Sequence, residues 1–114
     1  MERREHARTR IWIPIEVTAP GVPPFYGVSR DLSRSGVLLS SAQGLGADTP
    51  ISVKLTIPAD KPLDRTVTGR VVRSGPNEDD PDGLWPIRIA IVFDEPIVEV
   101  DGLLDEVVAS VRRL

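Results

Sequence analysis

Hydrophobic and polar residues alternate with a period of two along most of this chain, and the period changes near the end. Ile51-Ser52-Val53-Lys54-Leu55-Thr56-Ile57 places an apolar side chain at every second position over seven residues. That is the pattern of a strand with one face in a core and the other in water. Ile11 to Val17 carries the same alternation at its C-terminal end, and Pro14 within it points to an edge position or a bulge. Phe25 to Asp31, Gly36 to Ser40, Thr66 to Arg73 and Ile87 to Phe93 complete a set of six predicted strands. Turn-forming residues separate them: Ala19 to Pro24, the hydroxyl-rich Leu32-Ser33-Arg34-Ser35, Pro58 to Leu63, and Pro76 to Gly83. Beyond Phe93 the apolar residues Ile97, Val100, Leu103, Leu104, Val107, Val108, Val111 and Leu114 recur at helical spacing, with Asp101, Asp105 and Glu106 on other faces. Acidic residues at its start and Arg112-Arg113 at its end suit the helix dipole. The expectation is an all-β domain with one C-terminal helix: a basic arm over 1–10, a six-stranded antiparallel β-barrel over 11–94, and a helix over 97–114.

Length adds that 114 residues make one domain with one core. No apolar run approaches a membrane span, and Met1 to His6 has no signal-peptide core. The absence of cysteine removes disulfides, thiolate metal sites and thiol catalysis, and the chain reads as cytoplasmic. The net charge of −3 conceals an asymmetry. Residues 1–10 carry Arg3, Arg4, Arg8 and Arg10 against Glu2 and Glu5, so the body beyond them holds ten basic and fifteen acidic side chains. An acidic body with a basic arm suits a local anion site at one end of the chain better than a broad DNA or RNA face.

Enzyme chemistry finds little to work with. His6, the single histidine, lies among arginines and has no second imidazole or thiol to share a metal with. No nucleophile-elbow pattern is present. Glu78-Asp79-Asp80-Pro81-Asp82 lacks the spaced ligands of a calcium loop and reads as a solvated acidic loop. Trp12 and Trp85 read as barrel-wall or helix-packing residues.

Two short patterns remain. Arg3-Arg4-Glu5-His6-Ala7-Arg8 contains an arginine pair with a third arginine four residues after Arg4, which alone describes any solvated basic arm. Asp31-Leu32-Ser33-Arg34-Ser35-Gly36 alone describes an ordinary turn with an Asx-type bond and a glycine able to take a left-handed conformation.

Together, Arg-x-x-x-Arg at 4–8 and Asp-x-Ser-x-x-Gly at 31–36, separated by one strand and a turn, resemble the signature motifs of the PilZ family. The resemblance spans essentially the whole chain, including Thr68-Gly69-Arg70-Val71-Val72-Arg73, the final Val92-Phe93-Asp94 and a closing helix; Ala90 departs from it, where many members place glycine. It implies a non-enzymatic receptor for the bacterial second messenger cyclic di-GMP, with no cofactor, no membrane insertion, and an output delivered to a partner protein. The implied ligand-binding residues are Arg3, Arg4, Arg8, Asp31, Ser33 and Gly36. Their chemistry suits that ligand. An arginine fork matches the adjacent O6 and N7 of guanine, or two phosphate oxygens, and its plane stacks on a base. Asp31 can accept from the guanine N1–H and N2–H₂ edge, Ser33 can hydrogen-bond the ligand, and Gly36 lets the backbone approach it. Arg3, just before the first motif arginine, is expected to favour two intercalated ligands per chain. Arg30, Arg34 and Arg73 are secondary candidates. A PilZ-like protein-interaction module that does not bind the nucleotide is the alternative, and a small barrel for single-stranded nucleic acid would need exposed aromatics on a basic groove.

Overall fold

The computed structural model describes residues 9–10, 12–57, 63–80 and 82–97. Seven strands run in chain order: β1 (Thr9–Arg10), β2 (Pro14–Ala19), β3 (Val22–Ser33), β4 (Gly36–Ser41), β5 (Pro50–Ile57), β6 (Leu63–Pro76) and β7 (Ile87–Phe93). They pair antiparallel in the order β1-β3-β2-β5-β6-β7-β4, and β4 returns to pair with β3. That last pairing closes β2 to β7 into the expected six-stranded antiparallel barrel. β1 lies on the side of β3 that β2 occupies further along, so the chain from Thr9 to Ala19 tracks β3 in two pieces. The helix expected over 97–114 lies outside the described residues apart from Ile97, which is buried.

Alternation decides the core. Ile15 and Val17 of β2, Ile51, Val53 and Leu55 of β5, and Ile89, Ile91 and Phe93 of β7 all point inward and are buried, joined by Ile13, Leu32, Val37, Leu39 and Val71. The outer face of β2 and β5 carries Glu16, Thr18, Lys54 and Thr56 between them, the polar half of the same period.

Two strands run longer than the sequence pattern indicates. β3 begins at Val22, directly after a two-residue turn in which Gly21 has φ 73°. Its Pro23 and Pro24 precede the point at which β4 joins at Gly27, so neither is asked for a hydrogen bond toward that side. β6 extends to Pro76 because β7 remains opposite it as far as Ile87.

One fully buried polar residue is Ser29, whose Oγ accepts the Ile13 N–H at 3.0 Å while its own N–H donates to the Ile13 carbonyl at 2.9 Å. This exchange bridges the gap between β1 and β2. Ser29→Ala leaves the Ile13 N–H buried without that acceptor, and is expected to lower unfolding stability by about 1–3 kcal/mol. The midpoint of a urea transition measures it, and an unchanged midpoint would show that the bond adds nothing.

Candidate functional site

The second sequence pattern sits at the β3–β4 hairpin. Ser33 pairs with Gly36 across a two-residue turn, Arg34-Ser35, so Asp31 and Ser33 lie in the strand rather than in the connection. Ser33 makes a local side-chain bond here: its Oγ accepts the Ser35 N–H at 3.3 Å and lies 3.2 Å from Ser35 Oγ. This is a serine turn. The end of β7 and the chain just after it hold this hairpin. The Ser35 carbonyl accepts the Phe93 N–H at 2.9 Å, and the Arg34 carbonyl accepts the Ile97 N–H at 2.7 Å.

Gly36 also serves a purpose that the sequence reading did not give it. Among the described glycines only Gly21 has positive φ, so Gly36 is not there for a left-handed turn. A Cβ at Gly36 would stand 2.4 Å from the Ile91 carbonyl oxygen of β7. The glycine is required by the close approach of β4 to β7, a barrel contact.

Asp31 is half-buried on the outer face, level with Leu38 of β4, Ala90 of β7 and Arg73 of β6. Two β-bulges flank this line, one between Ser29 and Asp31 and one between Val71 and Arg73. The first allows both Arg30 and Asp31 to avoid the core. The second lies opposite Ala90, the position where glycine was the expected residue. On the other side of β3, the register sets Arg10 of β1 opposite Asp31 and Thr9 opposite Leu32. Thr9 and Arg10, expected in the basic arm, thus form a strand against the second motif, and Arg8 directly precedes that strand in sequence. Arg3, Arg4 and Arg8 lie outside the described residues.

Trp12, Asp79 and Arg88 escaped the sequence reading, which had Arg30 as a secondary candidate. Trp12, expected in the barrel wall, is 66% exposed, and the Arg30 guanidinium stands 5.4 Å from its ring centroid. Asp79, in the loop between β6 and β7, takes Arg30 Nη1 on Oδ2 at 3.1 Å and Arg88 Nη2 on the same oxygen. The Arg30 hydrogen bond, with the Arg88 charge next, holds the Asp79 carboxyl below the usual carboxylate range. The acidic loop is consequently tied down: Asn77 Nδ2 donates to the Trp85 carbonyl at 2.7 Å and Asp80 Oδ2 accepts the Trp85 N–H at 3.2 Å. No signal in a single sequence joins Arg30 to Asp79, which lie 49 positions apart. Among the described residues no three acidic or imidazole side chains converge as a metal site, and no helix is long and apolar enough to cross a membrane.

A closed six-stranded barrel with an arginine-rich outer face beside a strand-borne Asp-x-Ser-x-x-Gly defines a PilZ-type domain. The PilZ domain family's sequence profile matches residues 2–110, and the chain belongs to that family. Comparison with curated protein sequences gives no match. Among solved structures, the Bacillus subtilis inhibitor of motility MotI/DgrA superposes with a TM-score of 0.74 at 15% identity, covering 99% of this chain. The chain spans about half of that protein, 52% of its length. The PilZ domain of YcgR from Escherichia coli, solved with c-di-GMP, gives 0.65 at 13% identity, over 98% of this chain and 93% of that one. The PilZ domain of CeSA from a cellulose-synthesizing bacterium gives 0.58 at 19%, over 93% and 98%. At these identities the structural matches speak for the fold.

Proposed function

We propose that this chain is a cyclic di-GMP receptor without catalytic activity, in which Arg3, Arg4 and Arg8 clamp the ligand against Asp31, Ser33 and Gly36, and which signals to a protein partner. The observation that carries the reading is the β1–β3 pairing. It sets Arg10 opposite Asp31, and Arg8 precedes Arg10 by two residues in the sequence, which supports a meeting of the two motifs. Arg8 and Asp31 lie 23 positions apart in the sequence, and the β1–β3 pairing is the contact that relates their neighbourhoods.

The ligand's two phosphates match guanidinium forks, and its guanines present the N1–H and N2–H₂ donors that a carboxylate accepts. Adenine lacks that donor pair, so Asp31 is the residue that selects the base. Calorimetric titration tests both points. The native protein is expected to prefer cyclic di-GMP to cyclic di-AMP, and Asp31→Ala to lose at least about tenfold in affinity, the worth of one charge-assisted contact. Equal affinity for the two dinucleotides would refute the base-reading role. No binding of either would point to the interaction module instead.

A further inference from the structure

Resting on that reading, we propose that the ligand site extends beyond the two family motifs onto Trp12, Arg30 and Arg88, and that Asp79 occupies part of it until the ligand's phosphate displaces it.

The first support is position. Trp12 follows Arg10 by two residues, which span at most about 7 Å of chain, and Arg10 is the register partner of Asp31. Arg30 adjoins Asp31 and lies against the Trp12 ring. The stack therefore stands at the margin of the residues assigned to the nucleotide. An indole left 66% exposed loses the burial that ordinarily favours tryptophan. An aromatic face beside a guanidinium is what a purine stacks on.

The second support is the anion chemistry. Arg30 and Arg88 converge on one oxygen of Asp79, as two guanidiniums converge on a phosphate oxygen. Their capacity is not filled. Arg88 Nε and the hydroxyl of Ser40, its register partner on β4, are buried with no hydrogen-bond partner. A phosphate offers more acceptor oxygens than a carboxylate and could take both donors. Asp79 is itself exposed at 61% of its side chain, so its ion pairs are screened and weak enough to be exchanged.

The experiment uses the full chain. In a Trp85→Phe background Trp12 is the single tryptophan, and saturating cyclic di-GMP is expected to quench its fluorescence. Calorimetry on Trp12→Ala is expected to show about a tenfold loss of affinity, the scale of one base stack. Arg30→Lys keeps the charge without the stacking plane and is expected to fall between native and Arg30→Ala. Asp79→Asn is expected to tighten binding by up to about fivefold, since the competing carboxylate charge is gone. Native affinity in Trp12→Ala with unquenched fluorescence overturns the extension, while loss of binding in Arg4→Ala in the same series shows that the receptor reading stands without it. Unchanged or weaker binding by Asp79→Asn overturns the displacement. A native protein that binds no cyclic di-GMP removes both the reading and this inference.

Discussion

The double variant Arg4→Ala/Arg8→Ala is expected to bind cyclic di-GMP at least about a hundredfold more weakly than the native protein, with its unfolding transition unchanged. The size follows from two charge-assisted contacts, each contributing about 1.5–3 kcal/mol when the partner is a phosphate or guanine edge. The preserved fold follows from where the barrel draws its stability. Among the described residues the buried core runs from Ile13 to Ile97, and β2 to β7 close the barrel by pairing with one another. Ligand titration by calorimetry, with circular dichroism melting of both proteins, separates the two effects. Full binding by the double variant would remove the arginine clamp from the site. A shared loss of fold and binding would instead make the arm a structural part of the barrel.

Gly36→Ala is expected to lower stability by about 3 kcal/mol in the absence of any ligand. The added methyl group would meet the Ile91 carbonyl oxygen at 2.4 Å, a backbone atom engaged with β4 and unable to rotate aside. Relief requires β4 and β7 to separate where they close the barrel, and overpacking of this kind costs about 1–3 kcal/mol or more. A glycine retained for the ligand alone would leave the free protein's urea midpoint where it is. That result would contradict the barrel role and leave Gly36 to the binding surface alone.

The strands Ile51–Ile57 and Ile87–Phe93 were legible because both faces of each report their environment through alternation, and the structure begins and ends them within a residue of the pattern. β3 was harder. Its Pro23 and Pro24 look like turn residues locally, and only the late arrival of β4 makes them tolerable in a strand. The bulges were invisible for a related reason: an extra residue registers only against a partner strand, and the partner is set by the closed topology. Asp31 and Ser33 could be singled out because a family motif names them. Trp12 could not, since it lies in the break between β1 and β2, which only the strand pairing reveals. Asp79 could not either, because its role exists only when the β6–β7 loop folds back onto β3.

The bulge at Arg30 bears on how such a surface could arise by descent. Ser29 pairs with Leu39 and Asp31 with Leu38, so the hydrogen-bonded ladder on either side is continuous without Arg30. A chain one codon shorter there could close the same barrel, keep Leu32 in the core and still present Asp31 outward. Single-residue insertions in strands usually invert every side chain beyond them, but one absorbed as a bulge leaves the rest of the strand in place. Arg30 is thus a position at which selection could add or remove a guanidinium, and with it a hold on Trp12 and Asp79, without renegotiating the fold.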